Sequence, residues 1–175
     1  MNPGKIDLIP IIETAKGLAA VSDISGCGSR IRRISFGAVD FAKDLGMKLS
    51  LNEWELTPAR FDIVLASRVA GLEAPLDSVW VQYKDLNGLM ASSQRVSDMG
   101  FRGKMCIHPA QVSVVNNVFT PSEEEVAQAQ NIVAAFKEAE ANGSASIQID
   151  GFFIDYPVVQ QARNTLDLIN AINKK

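Results

Sequence analysis

The sequence predicts an α/β chain built on a parallel sheet covered by helices, and three observations carry that expectation. First, Leu8–Thr14 reads Leu-Ile-Pro-Ile-Ile-Glu-Thr, and Ser35–Phe41 reads Ser-Phe-Gly-Ala-Val-Asp-Phe. Each is a short apolar run that ends in a carboxylate where a helical pattern begins, and strands buried on both faces read as continuous apolar runs. Second, Glu13 and Asp40 stand 27 positions apart, about one strand-helix-strand repeat. Third, the strand-helix alternation recurs four times before the pattern changes, which implies a parallel sheet.

In chain order, Ile6–Ile12 is the first strand. Pro10 within it cannot donate to a ladder and marks a bulge or bend. Thr14–Ala20 is a helix with Thr14 as cap, and Ser25–Ser29 reads as a turn. Ile34–Phe36 is the second strand, followed by Gly37, which lets the backbone turn tightly toward a ligand. Ala38–Leu45 is helical and stops at Gly46. Met47–Thr57 reads as irregular, and Pro58 suits a first helical turn. Ala59–Ala70 carries Phe61, Val64, Leu65 and Val69 at helical spacing, and Gly71 ends it. Leu72–Pro75 is expected as the third strand, Leu86–Met99 as a helix, Lys104–Ile107 as the fourth strand and Pro109–Asn117 as a short helix. Thr120–Glu125 combines a capping residue, an early proline and three acids, a strong helix start. That helix runs to about Ala141. Ser146–Ile154 alternates around Asp150-Gly151, a hairpin signal, and Pro157–Asn173 is a final amphipathic helix. The domain reading is 1–120 for the strand-helix body and 121–175 for a C-terminal extension that is not an independent domain.

Composition narrows the function classes. The chain has 175 residues, 47% hydrophobic and 21% charged, so it is globular rather than disordered. A net charge of −3 and no basic stripe interleaved with aromatics argue against nucleic acid. No apolar run reaches the ~18 residues of a membrane span, and Met1–Lys5 leads into a strand without a signal-peptide apolar region. Cys27 and Cys106 form neither a disulfide framework nor a metal spacing. A cytoplasmic location is the default expectation.

Glu13 and Asp40 both fall at the carboxyl end of a candidate strand, the side where parallel α/β folds bind ligands. Two carboxylates without a neighbouring histidine or cysteine suit a hard cation such as Mg2+. The plainer alternative, that both are helix N-terminal acids stabilised by the dipole, remains open on spacing alone. His108, the one histidine, reads as structural or pocket-lining. Asp77 reads as pocket-lining or a helix cap, and Arg30, Arg32 and Arg33 as a solvated basic face or, alternatively, a contact for a phosphate or a carboxylate.

Five stretches in register carry a resemblance: Leu8–Ala15, Phe36–Gly46, Gly71–Asp77, Gly103–Val112 and Ile149–Val159. Together they resemble the citrate lyase beta-subunit family, with its malyl-CoA and citramalyl-CoA lyases, within the HpcH/HpaI aldolase superfamily. The resemblance implies the second half of a (β/α)8 TIM barrel, about four parallel strand-helix units, plus a C-terminal helix-hairpin-helix extension acting as a lid. It lacks counterparts of the first four strands and of the family's early-strand arginine. It implies a Mg2+-dependent carbon-carbon lyase that cleaves a 3-hydroxyacyl thioester into an acetyl thioester and a 2-oxoacid. Glu13 and Asp40 would hold the metal, Asp155 would be the general acid/base, and Gly37, Ala38 and Pro75 would bind substrate. Val39 departs from the family, which commonly has a second acid there. The expected partners are an acyl-CoA or acyl-carrier thioester, and either further copies of the chain or a complementing N-terminal half. Two alternatives accompany this reading: a class II 2-oxoacid aldolase, and a non-catalytic half barrel that needs an N-terminal partner.

Overall fold

The computed structural model describes residues 5–28 and 30–174. The chain divides into two compact units, Met1–Phe119 and Thr120–Lys175.

The first unit is built on four short parallel staves taken in sequence order. β1 (Ile11–Ile12) pairs with β2 (Ser35–Phe36), Ser35 pairs onward with Leu76, and Asp77 pairs with Lys104, each in parallel. Backbone bonds run across every junction: Gly37 N to Ile12 O, Phe36 N to Leu76 O, and Met105 N to Asp77 O, all at 2.9 Å. An earlier rung joins Leu8 to Ile31. Between that rung and Ile11↔Ser35 the first stave advances three residues and the second four. The extra residue is a bulge in the partner strand opposite Pro10, whose carbonyl still accepts from Ser35 N. Proline removes one donor there, and the facing strand absorbs the loss.

Helices follow each stave. After β1 come α1 (Ala15–Ala19), capped by Thr14 through Gly17 N, and α2 (Val21–Gly26). The expected turn at Ser25–Ser29 is thus partly helix: the Ser25 hydroxyl folds back onto Val21 O, a local bond the glycine-rich spelling conceals. α3 (Ala38–Asp44) follows β2 and ends before Gly46, whose φ is +66°. A 3₁₀ turn (Trp54–Leu56) leads into α4 (Thr57–Val69), and α5 (Leu86–Asp98) and α6 (Ala110–Phe119) complete the unit.

Two strands differ from expectation. The third stave pairs through Leu76–Asp77 rather than spanning Leu72–Pro75, and in the fourth only Lys104 pairs. Strand propensity names apolar runs, but the register is set by where the connecting helices deliver the chain. α4 also turns an unexpected face inward. It buries Ala59, Ile63 and Ala66 and exposes Phe61, Leu65 and Val69.

The core of the unit gathers Ile12, Ile34, Phe36, Phe41, Ile63 and Phe101, with Phe36 and Phe41 edge to face at 5.4 Å between centroids. A satellite cluster holds Trp80, Leu89 and Val115.

The second unit is helix, hairpin, helix. α7 (Glu123–Ala141) starts on a reciprocal capping box between Ser122 and Glu125. β3 (Ile147–Ile149) and β4 (Phe152–Ile154) pair antiparallel around Asp150 and Gly151, both at positive φ, the backbone a two-residue hairpin needs. α8 (Tyr156–Asn173) packs on α7 over a core of Phe136, Ile154 and Val159. No helix is long and apolar enough to cross a membrane among the described residues.

Candidate metal centre and its buried support

Glu13 follows β1 directly, and Asp40 lies in the first turn of α3, three residues after Gly37. Because β1 and β2 are in parallel register with Ile12 beside Phe36, Glu13 and Gly37 emerge side by side at the same end of the sheet. A Cβ at Gly37 would stand 2.6 Å from the Glu13 Cβ and 3.0 Å from its Oε2. Only glycine leaves room for that side chain. Both carboxylates are exposed, and neither enters a hydrogen bond or ion pair among the described residues. The neighbouring Asp44 is different, since its carboxylate accepts from Ala15 N at 2.8 Å. Exposed carboxylates without a protein partner are the kind of donor a hard cation takes while keeping water in its remaining positions. Among the described residues no group of three or more His, Cys, Asp or Glu side chains is placed to hold a metal ion.

Ala38 is buried, and its N–H donates to the Ser78 hydroxyl at 2.9 Å. This bond ties the start of α3 to the third stave. Beside it opens a cleft of about 180 Å³, walled by Ala38, Val39, Leu51, Glu53, Trp80 and Gln82 among others. Gly37 and Pro75 are not on that wall. Pro75 is buried, and its carbonyl takes Arg102 N at 3.1 Å.

Beneath the cleft lies a buried charge network. Asp77, fully buried, accepts from Arg60 Nε at 3.0 Å and from Lys104 Nζ at 2.5 Å. Glu53 Oε2 accepts from the Ser92 hydroxyl at 2.6 Å, from Arg60 at 3.2 Å and from Arg95 at 3.5 Å. Burial opposes the charge on Asp77, yet Lys104 and Arg60 outweigh it and hold the carboxyl below the usual carboxylate range. Burial likewise opposes the Arg60 charge, and Asp77 and Glu53 overcome it, pushing the guanidinium upward. Glu53 sits at φ +50°, a strained conformation for a side-chain-bearing residue that this bonding maintains. Arg60, Arg95 and Lys104 converge on Glu53 and Asp77, and Arg60 also acts on Glu55.

Asp77 is therefore neither pocket lining nor a helix cap, the two roles the sequence left open. The partners Glu53, Arg60, Lys104 and Ser92 were not legible as a site. The available signal was a charge inside an apolar pattern, Arg60 between Ala59 and Ile63 and Lys104 in a strand, since such charges are seldom buried unpaired. Arg32 and Arg33 both pair with Glu73 across the ladder. His108 is exposed, its Nδ1 accepts from Ala110 N, and its ring lies 5.1 Å from that of Tyr83.

In the second unit, Asp155 is the N-cap of α8, accepting from Val158 N at 3.4 Å through Oδ1.

Comparison with known proteins gives one family match: the HpcH/HpaI aldolase/citrate lyase model covers residues 2–109. Human mitochondrial citramalyl-CoA lyase is 35% identical over 97% of this chain and 52% of its own length. The citrate lyase subunit beta of Leuconostoc mesenteroides subsp. cremoris is 34% identical over 96% of this chain and 55% of its own length. Among solved structures, CitE from Mycobacterium tuberculosis in complex with magnesium, acetoacetate and coenzyme A is 27% identical with a TM-score of 0.80. That match covers 94% of this chain and 61% of that one. The chain spans about half the length of the curated relatives it matches.

Proposed function

We propose a function from one premise: the chain belongs to the HpcH/HpaI aldolase/citrate lyase family. The reading is a Mg2+-dependent carbon-carbon lyase module that cleaves a 3-hydroxyacyl thioester into an acetyl thioester and a 2-oxoacid. Relatives named as lyases of citramalyl-CoA and a neighbour holding magnesium and coenzyme A support it. The observation that carries it is the two carboxylates without a protein partner, Glu13 directly after β1 and Asp40 in the first turn of the helix that follows β2, with Gly37 making room for the first.

Glu13 and Asp40 would hold Mg2+, which supplies a Lewis acid for the oxoacid oxygens and for developing negative charge. Gly37 keeps Glu13 in place by having no side chain. Ala38 contributes the cleft wall, and Ser78 fixes its backbone. At about 180 Å³, against about 300–1,000 Å³ for drug-sized ligands, the cleft suits a small acid fragment, with the rest of a thioester lying outside it. Asp155, whose Oδ1 caps α8, would be the general acid/base that the family resemblance offers, a role that requires close approach to the acetyl carbon. Pro75 acts only by bracing the ladder.

A second reading has its own observation. The four staves would form half of a (β/α)8 barrel, and among the described residues the first stave pairs on one side only, with the second. An open edge invites pairing, so a complementing half barrel is the partner this edge suits.

The deciding experiment titrates Mg2+ by calorimetry into the chain and into Glu13→Ala and Asp40→Ala, then assays malyl-, citramalyl- and citryl-CoA cleavage with and without an added N-terminal half. Binding abolished in both variants is expected. Unchanged binding removes the metal assignment, and turnover undiminished in the variants removes the lyase mechanism built on it.

A further inference from the structure

Glu53 stands apart from the other residues of the cleft. It precedes the 3₁₀ turn at φ +50°, in the left-handed region where a residue with a side chain is strained, and such strain gathers at ligand sites. It is 7% exposed, yet only one of its carboxylate oxygens is used. Oε2 takes the Ser92 hydroxyl, Arg60 and Arg95, while Oε1 accepts no bond among the described residues. Among those residues the buried side-chain polar atoms without a partner are Trp80 Nε1, Ser93 Oγ and Arg95 Nε. Glu53 Oε1 is not one of them, so it keeps open space beside it, and the space that Glu53 lines is the cleft. The neighbouring walls, Val39, Leu51, Val79, Trp80 and Val81, are apolar. A carboxylate oxygen in such surroundings is costly until a donor meets it.

We propose that Glu53 is a ligand-binding residue whose Oε1 accepts a hydrogen bond from an uncharged donor, a hydroxyl or an amide N–H, of the acyl thioester. Two guanidinium groups already meet the same carboxylate, so the open oxygen calls for a hydrogen bond rather than a counter-ion. An ionised carboxylate on the ligand is an acceptor only, so this oxygen reads the hydroxyl or the amide instead. The three donors on Oε2 hold the side chain in one place, and the acceptor is therefore set before a ligand arrives. An acyl thioester carries the required donor in two places: the hydroxyl of a 3-hydroxyacyl group and the amide N–H groups of the pantetheine arm. The choice of a thioester rests on the lyase reading, whereas the open acceptor rests on the geometry of the cleft.

The test titrates 3-hydroxybutyryl-CoA and acetoacetyl-CoA, which differ in a hydroxyl against an oxo group at C3, into the chain by calorimetry. The variant is Glu53→Gln. Ser92, Arg60 and Arg95 all donate, so the glutamine oxygen takes the place of Oε2 and its NH2 turns to the cleft, a donor where an acceptor stood. With the acyl hydroxyl as the source, the wild type should prefer the hydroxy ester by about 10–100-fold, and Glu53→Gln should erase or reverse that preference. With the arm amide as the source, Glu53→Gln should weaken both esters and free pantetheine by a like factor. Equal binding by the wild type and Glu53→Gln overturns the proposal and leaves the lyase reading standing. A wild type that binds neither ester overturns the thioester reading and the proposal with it. Carboxylate NMR of the 13C-labelled wild-type chain reads the contact without a substitution, should the variant not fold. The Glu53 carboxyl resonance should move as ester is added, and one that stays fixed while ester binds overturns the proposal.

Discussion

Gly37 and Glu13 lie so close across the first two staves that a methyl group on the glycine would overlap the Cβ of the glutamate, at 2.6 Å. The clash is with a Cβ rather than with the mobile end of a side chain, so rotation of Glu13 cannot relieve it. Gly37→Ala should displace the carboxylate and weaken Mg2+ binding by about 10–100-fold, the size of other supporting-residue effects. It should cost about 1–3 kcal/mol of stability through overpacking. Calorimetry and urea unfolding check both. Wild-type affinity in the alanine variant would refute the close fit.

Ser78 reaches the Ala38 N–H at 2.9 Å in a buried setting. Ser78→Ala leaves that donor unsatisfied, at about 1–3 kcal/mol, and loosens the first turn of α3 where Asp40 sits. A drop in unfolding free energy accompanied by weaker metal binding is expected. Ser78→Thr, which keeps a hydroxyl, should recover part of both.

Asp77 lies between Lys104 and Arg60 with no exposed surface. Its folded carboxyl titrates below the usual value. Its contribution to stability is therefore complete above about pH 3.9, the unfolded value, and fades as pH falls through the lower folded value. Asp77→Asn strands two cations and should cost about 3–5 kcal/mol at neutral pH. Denaturation of the two proteins should converge on acidification. A gap that stays constant down to strongly acid pH would exclude this role.

Asp155 has two roles that chemistry can separate. Asparagine caps a helix about as well as aspartate, whereas alanine loses about 1 kcal/mol. Asp155→Asn should keep the melting temperature and lose turnover in a complemented assay, and Asp155→Ala should lose both. Full turnover by Asp155→Asn would leave only the cap.

The linear order carried much of this protein. The apolar run closed by Glu13 placed the first strand end, whereas Asp40 falls in the first turn of α3, beyond the second, and Thr120–Glu125 and Asp150-Gly151 placed a helix start and a hairpin within a residue or two. These features depend on neighbours within a turn of chain, so capping, periodicity and turn chemistry display them directly. α4 is the instructive exception. Its spacing announced an apolar face correctly, but two such faces exist on that helix, and periodicity cannot say which one meets the sheet.

What the sequence determined alone was a parallel strand-helix order and the acids at its carboxyl end, because both are written in short-range pattern. Only the folded chain decided that Glu53, Arg60, Asp77 and Lys104 converge beneath the cleft, and that Glu13 rests where Gly37 has no side chain. Those contacts join residues 7 to 27 positions apart, and their energies come from burial and close approach, which exist only once the staves are in register.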